Sequence, residues 1–133
     1  MRRAFVAAAL LVAAAGCSDG SEAASKREVH VKLRFSRFVP ATFEFPVGTT
    51  VTFVVDNRDP IDHEFLIGDE EVQDAHEEGT EDHHGAKPGE ISVPAGETRT
   101  TMYTFDEPGK LLVGCHLPTH WDYGMRGEIT VTG

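Results

Sequence analysis

The sequence predicts an all-β domain, an antiparallel sandwich of about eight short strands with one short helix in an insertion at residues 68–89. Two observations carry that reading. Apolar and polar residues alternate with a period of two, the pattern of a strand with one buried face. Turn residues return at intervals of roughly 8–12 residues, which favours an antiparallel sandwich over a parallel α/β sheet.

The elements follow in order. In residues 29–35, Val29, Val31, Leu33 and Phe35 alternate with His30, Lys32 and Arg34. Residues 41–45 form a second short strand, ended by Pro46-Val47-Gly48. Residues 50–55 are β-branched and aromatic, and the turn residues 56–60 close them. Residues 63–67 make a fourth strand and residues 91–93 a fifth. The turn Pro94-Ala95-Gly96 leads into a sixth at 98–105. Residues 110–115 and 127–132 complete the set. Residues 69–78 break the β pattern: they are rich in helix formers and open with acids, which suits the positive end of a helix.

A chain of 133 residues suits one domain. The formal net charge of −10 argues against nucleic acid, whose phosphates require clustered Lys and Arg. Two cysteines exclude a disulfide-dense scaffold and a zinc site of four thiolates, whereas seven histidines point to metal chemistry.

The first residues read as an address. Met1-Arg2-Arg3 is positively charged, and the apolar run at residues 4–15 is too short to span a membrane, which takes about 20 residues. It ends Ala14-Ala15-Gly16-Cys17, which resembles a bacterial lipobox. The expectation is a lipoprotein signal peptide at 1–16, a lipid on Cys17, a polar tether at 17–28 and one domain at 29–133. That places the protein outside the cytoplasm, membrane-anchored in the cell envelope, in the periplasm or on the outer face of the membrane.

The chemistry concentrates between the last two strands, where Cys115, His120 and Met125 stand in the spacing C-x4-H-x4-M. Thiolate, imidazole and thioether are soft ligands that suit copper and suit Mg²⁺ or Ca²⁺ poorly. A type 1 copper site needs two histidines and a cysteine in a plane with a distant methionine, so one histidine must come from elsewhere.

Over essentially all of residues 29–132 the sequence resembles the cupredoxin, or blue copper, family, which is plastocyanin- and azurin-like. The resemblance implies a Greek-key sandwich and a single type 1 copper ion, Cu(I)/Cu(II), held by His63, Cys115, His120 and Met125. The ligand spacing is more similar to auracyanin and rusticyanin than to plastocyanin. His63 follows a polar turn, as the family's upstream histidine does. His30 falls on the polar face of the first strand, and His76, His83 and His84 fall in the insertion. One departure bears on the surroundings of the site: the family often places Asn after the upstream histidine to brace the ligand loop, and Glu64 stands here. His116 should point away from Cys115 along a strand.

Eight acids and three histidines lie between Asp69 and His84, with no Lys or Arg. This is a solvated acidic excursion or an auxiliary metal site through His76, His83 and His84, where carboxylates raise the local cation concentration. Two functions are expected. The first is a monomeric carrier of single electrons, with redox partners docking near His120 on a patch of Leu117, Pro118 and Trp121. The alternative is a copper-binding protein for tolerance, storage or delivery. No enzymatic reaction is expected, because the chain has no His-x-His motif for a further copper site and one cysteine in the ligand loop.

Overall fold

A computed structural model describes residues 25–79 and 87–133 of the chain. The signal segment, Cys17, His83 and His84 lie outside the described residues. The elements are β1 (Lys26–Leu33), β2 (Phe38–Val39), β3 (Thr42–Pro46), β4 (Thr49–Asn57), β5 (His63–Gly68), α1 (Glu70–Glu77), β6 (Glu90–Val93), β7 (Thr98–Phe105), β8 (Gly109–Gly114) and β9 (Arg126–Thr132). They form two sheets, ordered β2-β1-β4-β7 and β3-β9-β8-β5-β6. No described helix is long and apolar enough to cross a membrane.

The all-β sandwich stands, but its sheets are mixed. β1 pairs with β4 and β3 with β9 in parallel, whereas the remaining strand pairs are antiparallel. Both parallel pairs join strands that do not follow each other in the chain. Alternation reports a buried face and carries no information on strand direction.

The facing sides of the sheets bury Val31, Leu33, Val51, Phe53, Val55, Phe65, Val113, Ile129 and Val131. Phe53 stands at the centre, 5.9 Å from Phe43, 6.2 Å from Phe45 and 5.2 Å from Phe65, measured between ring centroids. These separations are within the roughly 4.5–7 Å range in which aromatic pairs attract.

Three boundaries differ from the sequence reading. β1 begins at Lys26, because Lys26, Arg27 and Glu28 stand in register with Thr50, Val51 and Thr52 of β4. Their exposed side chains leave no alternation to detect. β2 is a further strand of two residues, too short to show a period. Phe35 does not extend β1: it lies at φ 54°, Ser36 at φ 51°, and Phe35 is 77% exposed. Helix α1 forms where expected, capped by Asp69, whose carboxylate accepts the Val72 amide at 3.0 Å.

Candidate metal centre

One end of the sandwich gathers the polar turn before β5, the start of β5 and the loop from β8 to β9. Leu66 pairs with Gly114, so the β5–β8 register brings the residues before Leu66 against Cys115 and His116. The loop is wound by its own backbone. His120 N donates to Leu117 O at 2.9 Å, and Tyr123 N to Thr119 O at 3.0 Å. Met125 N donates to His120 O at 2.9 Å, and Cys115 N to Met125 O at 3.2 Å. The last two bonds hold the three sequence-predicted loop residues together. Cys115 and Met125 are wholly buried.

His63 Nδ1, His120 Nδ1 and Cys115 Sγ converge. The two nitrogens are 3.3 Å apart, and the sulfur lies 3.2 Å from His120 Nδ1 and 3.9 Å from His63 Nδ1. Metal–nitrogen bonds of about 2.0 Å and a metal–sulfur bond of about 2.3 Å, splayed in a plane, would set such donors about 3.5–3.7 Å apart. The observed triangle brackets those lengths, and its donors are the soft set that copper prefers. Among the described residues, this is the one group of three or more His, Cys, Asp or Glu with ligand atoms this close together.

The opposite edge of His63 is equally defined. Its Nε2 lies 2.8 Å from Asp59 Oδ2. Asp59 also accepts the amides of Phe35 at 2.7 Å and Ser36 at 2.8 Å. Burial works to raise the Asp59 pKa, but the Ser36 and Phe35 amides and His63 outweigh it, and the net direction is down. Asn57 fixes the turn: its side-chain NH₂ donates to the carbonyls of Ile61 (2.8 Å), Val93 (2.9 Å) and Pro94 (3.2 Å), and its Oδ1 accepts the Asp59 amide at 3.0 Å. In the sequence, Asn57 and Asp59 read as turn residues only. The i, i+4 spacing of Asp59 and His63 is the signal that could have found the pair.

Burial lowers the His120 pKa, and the neighbouring His63 lowers it further, which favours the neutral imidazole that a metal requires. Burial pushes the Cys115 thiol up to about 11, against the opposing effect of the Glu64 and Leu117 amides. The metal-free thiol should therefore react slowly. At pH 8 roughly one molecule in a thousand carries the thiolate, against about a quarter for a free cysteine. Alkylation of metal-free protein should run more than about a hundredfold slower than for free cysteine, rising about tenfold per pH unit through about pH 10. A rate that levels off below about pH 9 would contradict this environment.

Glu64 supplies the brace that the sequence left open. Its amide donates to Cys115 Sγ at 3.2 Å, a bond that any side chain at this position permits. Its carboxylate accepts the His116 amide at 3.3 Å and lies 3.4 Å from His76 Nε2. The His116 side chain points away from the donor triangle and reaches α1, with Nε2 2.6 Å from Gln73 Oε1 and Nδ1 2.5 Å from Glu77 Oε2. Its ring stacks on Trp121, 4.7 Å between centroids. Gly114 makes this approach possible, since a Cβ there would sit 2.5 Å from Gln73 Oε1 and 2.7 Å from the Trp121 ring. His76 is buried on the inner face of α1, turned toward Glu64, rather than lying in an exposed loop.

The chain matches the copper-binding plastocyanin/azurin family over residues 26–132. It belongs to that family. This cupredoxin is 34% identical over 116 residues to the copper-resistant cuproprotein CopI of Rubrivivax gelatinosus, covering 84% of this chain and 70% of that one. It is 26% identical over 141 residues to the CopI of Pseudomonas aeruginosa, covering 82% and 78%. Among solved structures, auracyanin B shares the fold, with a TM-score of 0.68 at 21% identity, covering 80% of this cupredoxin and 89% of auracyanin B.

Proposed function

We propose that this cupredoxin is a copper-tolerance protein of the cell envelope, holding one copper ion at His63, Cys115, His120 and Met125. The convergence of two Nδ1 atoms and one Sγ within 3.9 Å is the observation that carries the metal assignment. The resemblance to two copper-resistant cuproproteins supports tolerance as the role, and it reverses the order of the two functions expected from sequence. Copper, when bound, supplies a one-electron couple between Cu(I) and Cu(II). The chain's residues do the rest. Cys115 provides the thiolate and gives up its proton on binding, the two imidazoles bind as neutral rings, and the Met125 thioether is the distant fourth donor. The lipid on Cys17 would keep the domain at the membrane.

Electron carriage is the second reading. It is supported by the partial exposure of His120 at the end of the sandwich, beside the exposed Tyr123, where a redox partner could approach. The two readings separate in cells lacking the chain. Tolerance predicts failure to grow at raised copper, restored by the wild-type chain and not by Cys115→Ser. Unchanged copper sensitivity with slowed electron flow between envelope partners would overturn tolerance in favour of carriage.

A further inference from the structure

We propose that Asp59 is a positioning residue that selects the His63 tautomer and tunes the centre toward Cu(II); this rests on the copper assignment above. The geometry is a relay of three groups. Phe35 and Ser36, two consecutive non-glycine residues at φ 54° and 51°, point successive amides at one carboxylate, at 2.7 and 2.8 Å. Such a concave pair of N–H groups is an anion cradle. The left-handed conformation is unfavourable for residues with a Cβ, so the fold maintains it against a local cost.

The same carboxylate reaches His63 Nε2 at 2.8 Å, while the Asp59 amide is held by Asn57. An ionised carboxylate oxygen can only accept, so the ring proton sits on Nε2 and the lone pair of Nδ1 faces Cys115 and His120. His63 is wholly buried, so solvent does not compete for either nitrogen. A carboxylate behind an imidazole raises its donor strength, which benefits the more highly charged ion more. The left-handed Phe35–Ser36 turn thereby has a role at the centre without touching a donor atom.

The experiment has two arms on the full domain. In metal-free protein, nitrogen NMR of the His63 ring should show a slowly exchanging Nε2–H in the wild type. Asp59→Asn should make that proton exchange faster or mix the tautomers. With copper, Asp59→Asn should lose about 10–100-fold in Cu(II) affinity. Cu(I) affinity should change less, and each tenfold difference raises the midpoint potential by about 59 mV. An Asp59→Asn variant with an unaltered potential, or a wild-type His63 protonated on Nδ1, would overturn the proposal. Wild-type protein that fails to bind copper through Cys115 would sink the metal assignment instead, and the metal-free arm would still decide the role of Asp59.

Discussion

Cys115→Ser should abolish the intense visible absorption that copper acquires from a thiolate, while leaving the sandwich folded. The hydroxyl is nearly the size of the thiol and can still accept the Glu64 amide that Cys115 Sγ receives at 3.2 Å. Burying it without further partners costs about 1–3 kcal/mol, within the stability of an ordinary domain. The chemical loss is larger. A neutral hydroxyl is a poor ligand for Cu(I), so the soft corner of the triangle disappears. Changes one layer outside a metal site cost roughly 10–100-fold in affinity, and removing this donor should exceed that range. Circular dichroism checks the fold, and a copper titration followed by absorption checks the loss. A variant that retains the band would remove Cys115 from the centre.

Asn57→Ala should destabilise the fold strongly and should weaken copper binding with it. Asn57 has no exposed surface, and its side chain joins the turn before β5 to the end of β6 through three carbonyls and one amide. Truncation strands those groups in a buried place, each costing about 1–3 kcal/mol where water cannot replace the lost bond. With partial rehydration the expected loss is about 3 kcal/mol, or roughly 10–20 °C in the melting temperature of a domain this size. The turn carries Asp59 and leads to His63, so copper affinity should fall in proportion to the disorder introduced. Thermal unfolding of metal-free protein measures the first effect and copper titration the second. A shift below about 3 °C would show that Asn57 is not a tie of this kind.

What is legible in the sequence follows from the range of each interaction. Strands with a buried face, such as β4, announce themselves because alternation is local. β2 and the first residues of β1 are held by backbone pairing to other strands, and no local pattern records it. Phe35 fits the alternation of β1 but turns outward, because its amide is drawn to Asp59, 24 residues later. At the site, Cys115, His120 and Met125 are readable as one loop of soft donors, and His63 through the family resemblance. The surroundings are not readable. Gln73 and Glu77 contact His116 across 43 and 39 residues, and acids and amides on a short helix look like solvated surface until the helix is placed. Glu64 departs from the family's Asn, yet its amide still reaches Cys115 Sγ, because that bond belongs to the β5–β8 register rather than to the side chain.

Copper K-edge X-ray absorption on protein loaded with one equivalent decides whether His63, Cys115 and His120 hold the metal. The triangle of His63 Nδ1, His120 Nδ1 and Cys115 Sγ predicts one short copper–sulfur distance together with two copper–nitrogen distances from imidazole. A first shell of nitrogen and oxygen alone, with no short sulfur, would contradict it.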